Sequence, residues 1–379
     1  MDFRLSEEQE MFRQVVAEFV DREVIPVAGV LDEREEFPWD LFRKIGRQGW
    51  LGVRYPEEYG GAAADNMTYN LMCEELARGS LALAATVAMQ SLMGTDFIYR
   101  FGTEAQKQEW LVPALRGEKI GTIAMTEPGA GSDLGAIRTT AVRDGDGYRL
   151  NGNKMWITSA TVADFFTIAA KTDPEAGFRG VDLFLVEKHR EGLSVGRQIK
   201  KLGTRASETS EVILENVWIP ADNLLSEAEG QGMLLLRGIL NQIRVMTGAL
   251  SLGLARAALD SALRYAGERQ AFGRPISKFQ AIQHKLAEMA TRLEAARTLV
   301  YRATWLIDEG APDTKLSAMA KLFASEMAAH VVDETTRIFG AYGFAMEYEA
   351  QRYFRDARFL LYGGGTSEIL KNMIARDLI

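Results

Sequence analysis

The sequence predicts an α+β fold with an N-terminal helical domain, a middle antiparallel β-domain and a C-terminal four-helix bundle. Apolar residues recur at helical spacing in both end regions, whereas the middle holds short runs of β-branched and aromatic residues between turn signals. A length of 379 residues also exceeds what one hydrophobic core usually supports. We therefore place the three domains at residues 1–120, 121–228 and 229–379.

The first domain is predicted to be helical from its capping signals. Capping-box spacing occurs at residues 6–9 and again at residues 103–106. Pro38 fits the first turn of another helix. The apolar stretch 69–101 predicts two helices, with a break near residues 79–80, where glycine is followed by serine.

The middle domain has the sequence pattern of β-strands instead. Asp144-Gly145-Asp146-Gly147 predicts one turn and Asn151-Gly152 predicts a second. Each turn signal separates runs with high β-propensity. The predicted strands are residues 139–143, 148–150, 165–169, 183–186, 194–198 and 212–217.

The helical period returns at about residue 229. Apolar residues recur three and four positions apart over 236–254 and over 282–300, a spacing typical of bundle helices. A third helix is predicted over about 313–339. The run Gly363-Gly364-Gly365 then forces a loop, and the Thr-Ser pair that follows can cap a last helix.

Composition excludes several classes of partner. A net charge of −8 without any basic block argues against nucleic acid and against an anionic membrane surface. Cys73 is the only cysteine, and His189, His284 and His330 are scattered, so neither an intramolecular disulfide nor a zinc site is expected. The first residues lack a secretory pattern, and no apolar run approaches about 18 residues. We expect a cytoplasmic protein without a membrane span.

The stretch from Thr126 to Thr158 has the residues to hold a flat polar ligand. Gly129 and Gly131 let the backbone turn sharply and approach a ligand closely, while the hydroxyls of Thr126, Ser132 and Thr158 can donate or accept hydrogen bonds. Taken alone, the Gly-x-Gly spacing predicts only a turn, because it lacks the spacing of a dinucleotide fingerprint.

Five ordered segments together resemble the acyl-CoA dehydrogenase family, and the resemblance covers essentially the whole chain. It implies FAD held between the β-domain and the bundle, in a homotetramer whose subunits complete each other's sites. It also implies an acyl-CoA or acyl-carrier thioester as substrate and an acceptor such as an electron-transfer flavoprotein. The segments are TEPGAGSD at 126–133, WIT at 156–158, RQAFG at 269–273, FGAYGF at 339–344 and GTSEI at 365–369.

The resemblance implies roles for individual residues. Thr126 would contact the flavin ring, Thr158 would bond near its N5 atom and Trp156 would pack against it. Arg269 would meet the pyrophosphate, for which a guanidinium is well suited. The other implied cofactor contacts are Ser132, Phe272, Phe279, Gln280, Arg337, Gly340, Ala341, Thr366 and Glu368.

One implied contact departs from the family's usual residue, and another requires a partner for its charge. Arg337 stands where the family usually has Gln, so it can donate a hydrogen bond but cannot accept one. Ser132 and Arg244 match positions that contact the thioester ligand and its CoA part. Arg244 lies within an apolar helix, where an unpaired guanidinium is costly, so either a ligand or an acidic neighbour is expected as its partner.

The proton acceptor of the family is missing. In family chemistry a carboxylate removes the proton beside the carbonyl while flavin N5 receives the neighbouring hydride. The family places that carboxylate at the position of Gly364 or, in some members, of Ile243, and neither residue can take a proton. General-base catalysis typically contributes about 10² to 10⁴ in rate, so the catalytic residue stays unassigned.

Three explanations remain open. The base has moved, which suits a cyclic, branched or conjugated acyl group; the site performs flavin–oxygen chemistry as an oxidase or monooxygenase; or the chain binds FAD and a ligand with little turnover. Oxidoreduction of a thioester CH–CH bond is the leading hypothesis. The candidates for a moved base are Asp96, Glu208, Tyr362 and Glu368, and Gln90 and Ser91 could orient a polar substrate.

Overall fold

The computed structural model describes residues 4–226 and 228–379; residues 1–3, at the start of the predicted first domain, and Glu227 lie outside the described residues. The first part is helical, as predicted. Both capping boxes are formed, at Ser6 with Gln9 and at Thr103 with Gln106. The helices are α1 Glu7–Phe19, α2 Ile25–Arg34, α3 Trp39–Arg47, α4 Asn66–Gly79, α5 Leu81–Ala88, α6 Asp96–Phe101, α7 Glu104–Gln106 and α8 Val112–Leu115.

The break predicted near residues 79–80 is confirmed. Ser80 adopts an extended backbone after α4, and its hydroxyl accepts a hydrogen bond from Leu83 N–H, which caps α5. The segment Leu81–Phe101, which runs from α5 through α6, is long and apolar enough to span a membrane by length and composition alone, contrary to the expectation above. Because 89% of its most apolar window is buried inside the chain, the segment is accounted for as part of the core.

Seven strands form one sheet in the middle of the chain, in the order β1-β4-β2-β3-β7-β6 with β5 beside β4. Neighbouring strands are antiparallel except that β1 runs parallel to β4 and β2 meets β4 in parallel at one residue pair. The short β1 was not predicted. The strands are β1 Gly121–Ala124, β2 Thr140–Asp144, β3 Gly147–Thr158, β4 Phe165–Lys171, β5 Val181–Glu187, β6 Leu193–Val195 and β7 Thr209–Pro220.

The turn predicted at Asn151-Gly152 is wrong. Strand β3 continues through both residues, and its register with β7 shifts between Leu150 and Gly152. A Cβ atom at position 152 would lie 2.3 Å from the Thr139 hydroxyl, so the glycine permits a close strand approach. A glycine inside a strand often marks such a bulge. Only the Asp-Gly signal before β3 marks a true hairpin, between β2 and β3.

The C-terminal part is a helical bundle built around one long helix. Helix α9 contacts α10 and α11 within the bundle and α4 from the N-terminal part. A small hairpin follows α9, formed by β8 Gln270–Ala271 and β9 Arg274–Pro275. The helices are α9 Gly232–Glu268, α10 Gln280–Asp308, α11 Thr314–Phe339, α12 Glu349–Tyr362 and α13 Ser367–Leu378.

Helix α9 is fixed to the sheet at its beginning. The buried Asp182 carboxylate on β5 accepts hydrogen bonds from the backbone N–H groups of Gly230, Gln231 and Gly232, at 2.8 to 3.3 Å. Those groups would otherwise lack acceptors at a helix start, and a carboxylate there also complements the helix dipole. Asp182 therefore sets where the bundle starts relative to the sheet.

Helix α9 is fixed to α4 by a close backbone approach. A Cβ atom at Gly253 would lie 2.0 Å from the Glu74 carbonyl oxygen and 2.9 Å from the Ala77 Cβ. Beside this contact, Arg256 forms ion pairs with the buried carboxylates of Glu74 and Glu75. No side chain larger than hydrogen fits at position 253 without moving the helices apart.

Alanine substitution at two glycines of α9 should have opposite effects on stability. We expect Gly253→Ala to lower the free energy of unfolding by about 1–3 kcal/mol, because the methyl group overpacks the α4–α9 contact. Gly267→Ala, on the same helix and with no atom within 4 Å of the added Cβ, should raise it by about 0.5–1 kcal/mol. Chemical denaturation of both variants measures the difference. Equal effects at the two positions would contradict this packing.

Candidate active site

The glycine-containing loop predicted to bind a ligand stands beside the end of β3. Met155 N–H donates to the Thr126 carbonyl oxygen at 2.8 Å, which joins the loop to the strand. Gly129 and Gly131 are exposed, and a Cβ atom at either position would meet no atom within 4 Å. The loop therefore has open space around its glycines, in which a ligand can approach the backbone.

The polar side chains around this loop are free to bind a ligand. Within the described chain, the hydroxyls of Thr126, Ser132 and Thr158 form no hydrogen bond as donor or acceptor. Trp156 is 57% exposed and has a positive φ of 63°, which is rare for an aromatic residue. An exposed indole beside unpaired hydroxyls fits the flavin ring that the resemblance implies, since a flavin offers an aromatic face and polar edges.

A buried ion pair holds the start of the loop in place. Lys154 Nζ donates to Glu127 Oε1 at 2.7 Å and to the Met125 carbonyl oxygen at 3.2 Å. Glu127 also accepts from Arg138 N–H at 2.7 Å and from both the N–H and the hydroxyl of Thr139. The ion pair thus joins the start of the loop, the segment before β2 and strand β3.

Burial and pairing act together on the two pKa values. Burial would raise the pKa of Glu127, but the Lys154 ammonium and the hydrogen bonds outweigh it and the pKa is lowered. Burial lowers the pKa of Lys154 to about 8, against the opposing effect of Glu127. This pair was not predicted from the sequence, although an isolated lysine at an inward position of a strand is a usable signal.

A second group of predicted residues lies at one end of the bundle. The Arg269 guanidinium stands 5.4 Å from the centre of the Tyr342 ring, and the Phe272 and Phe279 rings meet edge-on at 6.0 Å. Phe272 is 95% exposed. Gln280 begins α10 and is exposed, as are Gly340 and Ala341 after α11. These residues form an exposed aromatic and cationic surface, distinct from the loop at β3.

Arg337 is engaged within its own helix. Its Nε donates to Asp333 at 2.7 Å, and Glu334 lies 3.8 Å away. The hydrogen bond to Asp333 raises the pKa of the guanidinium. Any cofactor contact by this arginine has to compete with that intrahelical pair.

The two positions at which the family carries its catalytic carboxylate lie next to each other in the fold. A Cβ atom at Gly364 would lie 3.7 Å from Ile243 Cγ2 and 3.0 Å from the Thr247 hydroxyl. Gly364 has a positive φ of 72°, which favours glycine. The Thr247 hydroxyl donates to the Ile243 carbonyl oxygen. The space that a glutamate would fill from either side is therefore lined by an isoleucine and a threonine.

The glycine loop is held from α11. Buried Lys321 donates to the Gly365 carbonyl oxygen at 2.7 Å, and burial lowers its pKa to about 8. Thr366 caps α13 by accepting from Ile369 N–H, as predicted from the sequence. Lys321 was not identified from the sequence, because its partner is a backbone group 44 residues away.

Arg244 is buried without an acidic partner. Its side chain donates to Asn241 Oδ1 at 3.2 Å and to Met373 Sδ at 3.3 Å, and its buried Nε has no acceptor. No carboxylate forms an ion pair with it in the described part of the chain. Burial lowers the pKa of this guanidinium, with no opposing carboxylate. Of the two expected partners, the acidic neighbour is therefore wrong.

Of the four candidates for a moved base, two are hydrogen-bonded within the protein and two are exposed. Asp96 is fully buried, and its two oxygens accept from Arg54 at 2.8 Å and Arg100 at 2.6 Å. Both oxygens of this carboxylate are therefore occupied by guanidinium groups within the protein. Glu208 accepts from the Thr161 hydroxyl. Tyr362 and Glu368 are both exposed.

Gln90 and Ser91 connect elements of the fold. The Gln90 amide donates to the carbonyl oxygens of Ala114 and Lys119 and accepts from Gly121 N–H, so all its polar atoms are occupied. The Ser91 hydroxyl donates to the Val87 carbonyl oxygen at 2.7 Å. The prediction that these two residues orient a polar substrate is contradicted by their internal partners.

Comparison with known proteins places the whole chain among one group of enzymes. The family models that match are acyl-CoA dehydrogenase, N-terminal domain, at residues 6–118; middle domain, at residues 122–217; and C-terminal domain, at residues 230–379. Benzylmalonyl-CoA dehydrogenase of Aromatoleum aromaticum is 52% identical over 378 residues, covering 100% of both chains. The 3-(aryl)acrylate reductase of Clostridium sporogenes is 41% identical, covering 99% of each.

The fold agrees with a solved structure of the same group. Butyryl-CoA dehydrogenase from Megasphaera elsdenii superposes with a TM-score of 0.97 at 36% identity, covering 100% of both chains. The predicted order of helical, β and helical parts is confirmed by this agreement.

Removing one member of the buried Glu127–Lys154 pair should cost more than removing both. We expect Lys154→Met to lower the free energy of unfolding by about 3 kcal/mol, because it leaves a buried carboxylate unpaired. The double variant Glu127→Gln with Lys154→Met should recover most of that loss. Chemical denaturation of the two variants and the wild type measures it; a single variant as stable as the wild type would show that the pair is not buried as described.

Proposed function

The chain belongs to the acyl-CoA dehydrogenase family, and we propose that it oxidises the CH–CH bond of a thioester whose α-carbon carries a carboxylate, with loss of CO₂. One observation carries this proposal: both family positions for the proton acceptor, Gly364 and Ile243, lack an ionisable group and face the same space. FAD, when bound, supplies the acceptor for the hydride.

Ordinary dehydrogenation of a thioester needs a base. The β-carbon loses a hydride and the α-carbon loses a proton, and the electron pair of the broken α C–H bond forms the new double bond. A well-placed carboxylate accelerates the proton removal by about 10² to 10⁴. A site without one is poorly suited to a substrate whose α-carbon carries only hydrogen.

A carboxylate on the α-carbon removes that need. When the bond between the α-carbon and the carboxylate breaks, CO₂ departs and the electron pair stays on the α-carbon. That pair forms the double bond as the hydride leaves the β-carbon, and no proton is removed. The negative charge of the carboxylate leaves with the hydride, so charge balances, and a base at Gly364 is unnecessary.

The surroundings of Gly364 suit this chemistry. The space that a glutamate would fill is lined by the Ile243 methyl group, and the Thr247 hydroxyl beside it already donates to a backbone carbonyl. Removal from water destabilises a carboxylate relative to neutral CO₂. A glutamate at either position would fill the space and repel the substrate's carboxylate.

The relatives' names support an aryl-substituted acyl group. A benzylmalonyl thioester, the substrate class in the name of the Aromatoleum protein, carries a carboxylate on its α-carbon and an aryl ring on its β-carbon. Oxidation with loss of CO₂ would give a 3-arylacrylyl thioester, and arylacrylate is the class named in the Clostridium relative. We extend both to this chain, which makes the substrate a branched acyl group.

The residues that would hold FAD follow from the two exposed groups. Thr126, Trp156 and Thr158 border the flavin ring. Ser132 contacts both the edge of the cofactor and the thioester. Arg269 binds the pyrophosphate of a neighbouring copy's cofactor. The exposed Phe272 ring nearby supports this, because an exposed apolar ring is typical of a surface that another subunit buries. A homotetramer and an electron-transfer flavoprotein as acceptor belong to this proposal. The remaining contacts are Phe279, Gln280, Arg337, Gly340, Ala341, Thr366 and Glu368.

Two thioesters that differ only in the α-carboxylate test the proposal. Benzylmalonyl-CoA, mixed without oxygen with the FAD-containing protein, should bleach the flavin absorbance and release one CO₂ per flavin reduced. The matched 3-phenylpropanoyl-CoA should bleach it at least about 10²-fold more slowly, because its α-proton has no acceptor. Equal rates, or bleaching by benzylmalonyl-CoA without CO₂, would contradict the proposal. Repeating the reaction in air tests oxygen as the acceptor.

Restoring the missing carboxylate should reverse the preference. We expect Gly364→Glu to oxidise 3-phenylpropanoyl-CoA about 10²-fold faster than Gly364→Gln, which has the same shape but no base. Both variants should oxidise benzylmalonyl-CoA more slowly than the wild type. Each carries about 1–2 kcal/mol of backbone strain at a φ of 72°, so the glutamine variant controls for strain.

A second site avoids that strain. Ile243 lies within helix α9, and Ile243→Glu compared with Ile243→Gln offers the same carboxylate from the other side of the space. Rates are measured by anaerobic stopped-flow absorbance on variants that retain FAD. If neither glutamate variant oxidises 3-phenylpropanoyl-CoA faster than its glutamine counterpart, the space over Gly364 does not face the α-carbon of the substrate.

A further inference from the structure

The loop that lacks the catalytic carboxylate has little conformational constraint of its own. Residues 363–365 are three consecutive glycines, and Gly364 and Gly365 both have positive φ values, 72° and 108°. Glycine loses more backbone freedom on folding than any other residue, so this triple-glycine loop needs hydrogen bonds from outside to keep one conformation. Glycine at position 364 therefore leaves room for a ligand but lowers the rigidity of the loop.

Helix α11 supplies hydrogen bonds to this loop from two side chains. Lys321 Nζ donates to the Gly365 carbonyl oxygen at 2.7 Å, and a Glu326 carboxylate oxygen accepts from the Ser367 hydroxyl at 2.6 Å. Lys321 is fully buried and Ser367 is 5% exposed, so both contacts are shielded from water on the side of the loop. The segment from residue 365 to residue 367 is thus held to one helix at both of its ends.

A lysine is a costly residue with which to hold one carbonyl group. Among the described residues, no carboxylate forms an ion pair with Lys321. Burial lowers its pKa to about 8, against the opposing effect of Glu326 and Glu368, so the side chain is still an ammonium at neutral pH. A charged donor makes a stronger hydrogen bond than a neutral one, whereas methionine would fill the same space without a buried charge. Packing alone therefore does not account for this lysine.

The peptide group that Lys321 holds lies between the two halves of the proposed site. Gly364 precedes it, with the space proposed for the α-carboxylate of the substrate. Thr366 and Glu368 follow it, and both are proposed contacts of FAD. Rotation of the peptide between Gly365 and Thr366 would therefore move the substrate's space relative to the cofactor. The hydrogen bond from Lys321 opposes that rotation.

We infer that Lys321 is a positioning residue for the proposed oxidation, because by holding the Gly365 carbonyl oxygen it fixes the triple-glycine loop relative to the flavin. Glu326 is the second anchor of the same loop. This inference rests on the proposed function and adds the side chain on which the geometry of the site depends. Since Lys321 is fully buried, it acts through the loop and not by contact with a ligand.

The first test separates the rate of reaction from the affinity for substrate. In the FAD-containing Lys321→Met protein, the rate constant for anaerobic flavin reduction by benzylmalonyl-CoA should fall at least about 10-fold, because a loosened loop misplaces the reacting carbons. The Kd of the thioester should change less than about threefold, since no ligand contact is removed. Lys321→Arg, which keeps a charged donor, should recover part of the lost rate.

Lys315 provides a matched control on the same helix. It pairs with Asp377 of α13 at 2.5 Å and is partly exposed, so its ion pair also joins α11 to α13 but does not touch the loop. An exposed ion pair contributes little. Lys315→Met should therefore keep the wild-type rate constant and Kd. An equal loss of rate in Lys315→Met and Lys321→Met would assign the effect to general loosening of α13 and overturn the inference.

The second test needs no substrate. The N–H groups of Ile369 and Leu370 donate to the hydroxyl and the carbonyl oxygen of Thr366, so their protection from hydrogen exchange reports on the end of the loop. In the FAD-containing Lys321→Met protein, exchange in the segment 366–371 should be at least about tenfold faster, with exchange at the start of α9 unchanged. Mass spectrometry of the exchanged protein measures both segments. Wild-type exchange in Lys321→Met would show that the loop is held without the lysine.

Glu326→Ala tests the same loop with a milder change. Glu326 is exposed, so its substitution leaves the packing of α11 intact and removes only the second anchor. Flavin reduction by benzylmalonyl-CoA should slow about threefold at an unchanged Kd. If Lys321→Met fails to retain FAD, this variant decides, and a wild-type rate constant for Glu326→Ala then overturns the inference.

The outcomes separate the two proposals. If the wild type retains FAD but does not oxidise benzylmalonyl-CoA, the proposed function fails, and the exchange measurement still tests whether Lys321 holds the loop. If the wild type oxidises the thioester and Lys321→Met does so with an unchanged rate constant, only the assignment of Lys321 fails.

Discussion

Helix α9 is the constraint on which the rest of the structure depends. Its start is capped by Asp182 of the sheet, its middle approaches the backbone of α4 closely at Gly253, and both neighbours in the bundle pack along it. Because these contacts come from all three parts of the chain, the position of α9 is determined several times over. Ile243, Arg244 and Thr247 lie between the two anchors, so the space over Gly364 has rigid walls on the α9 side.

Several buried carboxylates are paired with cations from other parts of the chain. Glu127 is paired with Lys154, Asp96 with Arg54 as well as with Arg100 of its own helix, and Glu74 with Arg256. Such pairs add little net stability against apolar residues but are costly to break, so they fix which segments lie together. Among the described residues, Lys321 and Arg244 are buried cations without a carboxylate partner: Lys321 donates to a backbone carbonyl, and Arg244 donates to an amide oxygen and a thioether sulfur.

Local signals were readable from the sequence, whereas distant partners were not. The capping boxes at Ser6 and Thr103 and the cap at Thr366 depend on residues three positions away, and all three are formed. The Asn151-Gly152 pair misled because a hairpin and a bulge use the same residues, and only the approach of Thr139 distinguishes them. Asp96 was a candidate for a moved base because its partner Arg54, which lies 42 residues away, could not be identified from the sequence. That Arg244 has no carboxylate partner among the described residues could be seen only in three dimensions.

The loss of the catalytic carboxylate has an explanation in the proposed substrate. A glutamate at position 364 or 243 would have supplied a base and filled the space between the two positions. A ligand that brings its own carboxylate replaces that base, because the loss of CO₂ leaves the electron pair on the α-carbon without removal of a proton. The same ligand needs room for its carboxylate, and glycine at 364 beside isoleucine at 243 leaves that room without adding a second negative charge.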